Sequence, residues 1–200
     1  MNSDAVESID IRHIAPPNMV HLGMRPITDT DRDFLCALFV GTRAAEFAHS
    51  GLPPTHIDTL LAEQFAMQDA YYRRHYPDAH FDIVTCRAGD IGRLYHHWGA
   101  AEVRVIDIAL MPSYRGNGVG TRLMQALVAA AARQGLAVSL YVETTNPVRA
   151  LYQRLGFVAV GENGVYELMR RDTKPFDHGM SGQDPDADLS LCFGAASARS

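Results

Sequence analysis

The sequence has no excess of basic residues, no cysteine pairing pattern and no long apolar run. With 18 Lys and Arg against 23 Asp and Glu, the formal net charge is -5. No broad electropositive face is therefore expected, which argues against nucleic-acid binding as the main activity and leaves room only for a local anion site. Cys36, Cys86 and Cys192 are odd in number and scattered, without a C-x-x-C pair. They suggest neither a disulfide framework nor a metal centre, and a reducing cytoplasm is the expected setting. The opening MNSDAVESIDIRH lacks a basic stretch followed by an apolar one, and no run reaches the roughly 18 residues that a membrane span needs. The chain is expected to be neither secreted nor embedded in a membrane. Its 200 residues, 47% of them hydrophobic, are enough for one domain with a buried core.

Composition and punctuation divide the chain into a polar N-terminal extension over 1–18, a domain over 19–172 and a C-terminal tail over 173–200 rich in Gly, Asp, Ser and Ala. The domain opens with a strand expected through Val20–Arg25 and a helix whose capping candidates are Thr28 and Thr30. A second helix is expected from about Thr55 to Tyr72, ended by Tyr76-Pro77. HFDIVTCRAGDIGRLYHHWG reads as two strands around a Gly89-Asp90 turn, and EVRVIDIALMP as a third, together an antiparallel meander. From Gly118 the period becomes helical, with Gly135 placed just past the end of that helix. LAVSLYV is a strand, a short helix follows Pro147, and two strands around a Gly161–Gly164 turn complete the domain.

The most informative segment is ALMPSYRGNGVGT, residues 109–121, where a strand stops at Pro112 and a glycine-rich turn opens directly into a helix. Such a turn aims unpaired backbone N–H groups at one spot, at the positive end of the helix, and its glycines let a phosphate approach closely. The spacing is neither G-x-G-x-x-G nor a loop ending in G-K-[ST], so the dinucleotide fingerprint and the P-loop are both set aside. A tight turn with glycines for packing is the simpler alternative.

Two segments together resemble the GNAT superfamily of acyl-CoA N-acyltransferases. RGNGVG at Arg115–Gly120 is similar to that family's R/Q-x-x-G-x-G/A loop. NPVRALYQRLGF, residues 146–157, resembles its second motif, an Asn, a helix carrying a Tyr, then Gly-Phe. The resemblance covers about residues 20 to 170. It implies an α/β (α+β) fold with a mixed, mostly antiparallel central sheet flanked by helices on both faces and splayed beside the central strand, with acetyl-CoA as cosubstrate threading the gap. By position, Ile108, Ala109 and Leu110 would offer backbone groups to the pantetheine and thioester. Arg115, Gly116, Asn117, Gly118, Val119, Gly120 and Thr121 would hold the pyrophosphate, and Asn146 would contact the cofactor from the next strand.

Amine acylation needs a neutral amine, a polarised thioester and a proton for the departing thiolate. Tyr152 matches the family's general acid, while also sitting at the edge of an apolar stripe with Val148, Leu151 and Leu155. Asp107, in the apolar strand VIDIA, is either a base desolvated into a useful pKa range or a carboxylate paired with Arg104 or a neighbouring strand, or set at a bulge. Glu143 is the second candidate base, on a face shared with Tyr141. Adjacent His96 and His97 point to opposite faces and make no metal site. Phe65, Met67, Tyr71, Tyr72, Tyr95 and Trp98 offer apolar surface for an acceptor pocket or for the core, and Arg73, Arg74 and His75 suit either an anionic acceptor or the end of a helix dipole.

The resulting expectation is an N-acetyltransferase that moves acetyl from acetyl-CoA to a small-molecule or protein amine by direct attack in a ternary complex, without an acyl-cysteine intermediate. The alternatives are an acyl-CoA-binding sensor or interaction module without turnover, and a transferase for a longer acyl-CoA. No nucleic-acid or membrane partner is expected, and a homodimer is compatible with the sequence.

Overall fold

The computed structural model describes residues 22–47 and 50–173. The expected N-terminal extension, the tail beyond Thr173 and the start at Val20 of the expected first strand lie outside the described residues. The chain forms β1 (Gly23–Pro26), α1 (Arg32–Arg43), α2 (Pro54–His75), β2 (His80–Cys86), β3 (Gly89–Trp98), β4 (Glu102–Leu110), α3 (Val119–Arg133), β5 (Ala137–Glu143), α4 (Arg149–Arg154), β6 (Val158–Asn163) and β7 (Tyr166–Arg171). Single 3-10 turns precede and follow α1 and link β4 to α3.

The sheet has seven strands in the order β1-β2-β3-β4-β5-β7-β6. Every neighbouring pair is antiparallel except β4 and β5. One face carries a core built on Leu94, Val103, Ile108, Leu123, Leu127, Leu140 and Phe157, closed by α3 and α4. The other carries Leu35, Phe39, Leu61, Phe65, Ile83 and Tyr95, closed by α1 and α2. Each fully buried Leu, Ile or Phe in these layers contributes on the order of 1.5–3 kcal/mol. Entry into α1 is fixed by Asp31, whose Oδ2 accepts the Thr28 N–H at 2.7 Å while the carboxylate holds Arg25 through two hydrogen bonds. The cap thus centres on Thr28, one of the two expected residues, with Asp31 supplying the acceptor.

Two features of β4 shape the site. Its pairing with β5 ends at Val105↔Leu140, although β4 continues to Leu110 and β5 continues to Glu143 against β7. A wedge therefore opens between the two parallel strands. At the same place the register with β3 slips: Tyr95 faces Asp107 and His96 faces Val105, which leaves Ile106 as a bulge. Val103 and Val105 before the bulge, and Ile108 and Leu110 after it, all belong to the core under α3. Ile106 faces the α1/α2 core by ordinary alternation, and the extra residue resets the alternation so that Asp107 lies on that side too, where it meets Arg93, which also bonds Gln68.

Two hairpins differ from the expected turns. Gly89 and Asp90 already pair with Cys86 and Thr85, so the first turn is Arg87–Ala88. The last turn is Gly164–Val165, because the strand passes through Gly161 by way of a bulge and Asn163 pairs with Tyr166, leaving a two-residue Gly-Val loop.

Candidate active site

The turn after β4 is built by its glycines. Gly116 and Gly118 take φ of +71° and +76°, a left-handed conformation that side chains disfavour. Gly118 is the N-cap of α3 and brings no side-chain cap, so the first N–H groups of a 15-residue helix are left to an outside acceptor. Arg115 folds back and donates from Nε to the Leu110 carbonyl at 2.9 Å, tying the turn to the end of β4. Arg122 lies one turn into α3, its Nη2 4.0 Å from where a Cβ on Gly118 would stand, and its Nη1 is buried without a hydrogen-bond partner.

A cavity of about 230 Å³ runs from this turn along the unpaired part of β4 to α4. Ile108, Leu110, Arg115, Gly116, Gly118, Val119, Gly120, Thr121 and Tyr152 line it, together with Tyr114, Met124, Val148, Leu151 and Arg154. Ala109, Asn117, Asn146 and Asp107 are not on that lining. Asn146 is buried, and its Oδ1 accepts the Val148 N–H at 3.0 Å, an Asx turn that leads the chain into α4.

Tyr152 is buried, with its ring 5.8 Å from that of Phe157. Burial first, and then the charge of Asp107, push its phenol well above the ordinary tyrosine pKa. Asp107 is also buried and forms an ion pair with Arg93, whose Nη2 additionally donates to Gln68 Oε1 at 2.9 Å. The partner is thus on the neighbouring strand and is not Arg104, which pairs with Glu102 at 3.2 Å and covers the ring of Tyr141. Asp107 Oδ1 has no hydrogen-bond partner.

Glu143 stands directly across from Tyr166 in the β5/β7 register. The Tyr166 phenol is raised by burial, by the Glu143 charge and by a hydrogen bond to Glu143, and lowered by Arg43. The Arg43 guanidinium in turn senses Glu46, Asp107, Tyr72 and Tyr166. Electrostatic influence thus links Tyr152 to Asp107, Asp107 to Arg43, Arg43 to Tyr166 and Tyr166 to Glu143.

The remaining candidates are engaged elsewhere. Met67 is exposed. Arg73 bonds Asp69 at 2.9 Å and covers Phe81, and the His75 ring stacks on Tyr71. His96 is buried, accepts a hydrogen bond from Trp98 Nε1 on its Nδ1 at 2.9 Å, and lies 3.3 Å from Asp82 through Nε2. Among the described residues there is no cluster able to hold a metal, and no helix is long and apolar enough to cross a membrane.

Residues 61–157, which include the bulged strand, the glycine turn and the Tyr152 helix, match the model of the acetyltransferase (GNAT) family. Over these residues the chain is similar to the GNAT family. Solved structures with the same fold include the PaiA N-acetyltransferase of Thermoplasma acidophilum in complex with coenzyme A, at 18% identity and a TM-score of 0.57, with 76% of this chain and 99% of that one covered. An acetyltransferase of Thermus thermophilus matches at 20% identity and a TM-score of 0.56 over 77% and 98% of the two chains. A GCN5-related N-acetyltransferase of Rhodopseudomonas palustris matches at 21% and 0.52 over 77% and 97%. No curated protein sequence matches the chain. The GNAT fold accounts for the mixed seven-stranded sheet and for the helices on both of its faces.

Proposed function

We propose that the protein transfers the acetyl group of acetyl-CoA to a primary amine by direct attack within a ternary complex. The observation that carries this reading is the continuity of one cavity from the uncapped start of α3, along the unpaired part of β4, to the Tyr152 helix. The residues suit the cosubstrate: uncapped helix N–H groups and the partnerless Arg122 Nη1 can receive a pyrophosphate, and Ile108 and Leu110 give an apolar wall. When bound there, acetyl-CoA supplies a thioester carbonyl open to an amine nucleophile.

The protein's own groups divide the remaining work. Gly116, Gly118 and the start of α3 would hold the phosphate end, and the edge of β4 left open by β5, Ile106–Leu110, would offer backbone groups to the pantetheine arm. Tyr152, with its pKa raised, stays protonated at neutral pH and acts as a donor to the departing sulfur, not as a base. Complete proton transfer from such a phenol to a thiolate whose thiol titrates near about 8.5 is uphill. The proton that ends on sulfur is therefore, in balance, the one the amine loses. Asp107 offers its partnerless Oδ1 to that proton, held in place through Oδ2 by Arg93.

The test is thiol release from acetyl-CoA with a panel of primary amines, followed by initial-rate kinetics. Intersecting double-reciprocal lines are expected for the ternary complex. Parallel lines would indicate a covalent acetyl-enzyme, and CoA-dependent thermal stabilisation with no thiol release on any amine would indicate binding without turnover.

A further inference from the structure

Arg43 ends α1 and is buried, with 6% of its surface exposed, yet its Nη2 has no hydrogen-bond partner among the described residues. The guanidinium lies over the ring of Phe39, 4.6 Å from the centroid, and makes no ion pair with a described carboxylate. A buried cation without an anion is costly, and folded proteins seldom keep one without a reason. Glu46, the carboxylate nearest in sequence, is exposed, and Asp107 is already held by Arg93. Burial pushes the Arg43 pKa below the ordinary guanidinium value, and the surrounding groups only partly offset this.

The position of Arg43 relates this unmatched charge to the reaction. Gly41, two residues earlier, packs on the turn just beyond β4: a Cβ there would stand 3.7 Å from Cδ of Pro112. The last turn of α1 thus lies over the end of β4, on the face opposite α3 and the phosphate turn. Of the groups that Arg43 senses electrostatically, Asp107 lies on the part of β4 left unpaired by β5, and Tyr166 lies on β7 across β5 from it. An amine reaching the thioester from the α1/α2 side would pass beside this guanidinium.

We propose that the acceptor carries a carboxylate as well as its amine, and that Arg43 receives that carboxylate. The proposal rests on the acetyl-transfer reading and specifies the substrate class at the same site. A guanidinium fork matches a carboxylate in shape, and a charge-assisted bond made away from water is among the stronger polar contacts a site can offer. The ligand would supply the missing anion, and Arg43 would set specificity without handling the reacting atoms.

The test uses the full chain with acetyl-CoA and two paired sets of amines: the L-amino acids and the ω-amino acids of two to six carbons, each beside its carboxamide. The acid and the amide differ in the anion while keeping the same amine. At least one acid is expected to exceed its amide in kcat/KM by on the order of 10- to 100-fold, mainly through KM. Arg43→Met, which keeps the apolar stem, is expected to bring that ratio close to one, while Arg43→Lys keeps part of it. Because the buried charge is unmatched without substrate, Arg43→Met should also hold or raise the melting temperature of the free protein. The proposal is overturned if amides match acids in the parent protein, if Arg43→Met preserves the preference, or if that variant loses several degrees of melting temperature. Failure of the acetyl-transfer reading itself would look different, since neither acids nor amides would then release thiol from acetyl-CoA.

Discussion

Tyr152 is the residue whose environment most sharply defines its chemistry. Burial and the Asp107 carboxylate hold its proton, which suits it to the proposed role of donor. Tyr152→Phe keeps the ring beside Phe157 and is expected to leave the acetyl-CoA thermal shift intact while turnover falls on the order of 10²-fold. Near-normal turnover would remove Tyr152 from the mechanism, and a lost thermal shift would make its role one of packing. The tyrosine and Asp107 are both visible in the sequence, because each breaks or punctuates an apolar pattern next to a recognisable turn or Gly-Phe pair. Their partners are not visible. Arg93 meets Asp107 from 14 positions away on another strand, and Gln68 meets Arg93 from 25 positions away on a helix. Arg43 reads as a basic residue ending a helix, where the dipole alone would explain it. Only the folded chain shows that its guanidinium is buried and unmatched.

At the scale of elements, the glycine turn and the bulge do the positioning. Gly118→Val would force a β-branched residue to φ near +76° at the N-cap of α3 and fill the space in front of its N–H groups. The variant is expected to fold with a lower melting temperature and to lose stabilisation by acetyl-CoA. Unchanged affinity in the folded variant would contradict the phosphate assignment. The turn is legible because glycine at this spacing between a strand and a helix has few other uses. Strand and helix identities are equally legible, since periods of 2 and 3.6 are local properties. The bulge at Ile106 is not, because a register slip is decided by two strands at once: β4 must present Val103 and Val105, then Ile108 and Leu110, to one core. The same holds for the last hairpin, where the pairing of Asn163 with Tyr166 determines which of two glycines makes the turn.

Across the whole molecule, the sheet buries tyrosines on both faces. Burial raises the phenols of Tyr72 and Tyr152, and pushes that of Tyr95 up to about 12. In the unfolded chain these groups titrate near about 10. Below that pH both states keep the protons, and stability is unaffected by them. Above it the native state binds more protons than the unfolded one, so stability falls as pH rises, by about 1.4 kcal/mol per pH unit for each such group. The melting temperature is expected to drop steeply between about pH 10 and 12, with tyrosinate absorbance appearing together with unfolding. Titration of all the tyrosines well before unfolding would contradict the burial. The glycine turn, the open edge of β4 and the Tyr152 helix line one cavity, and the central question is where the acetyl group of acetyl-CoA bound there would go. The most direct measurement is mass spectrometry of the full chain incubated with isotopically labelled acetyl-CoA and the amine that gives the fastest thiol release. Direct transfer in a ternary complex predicts label on the amine nitrogen, in one-to-one ratio with free CoA. Label found only in acetate or on the protein would contradict it.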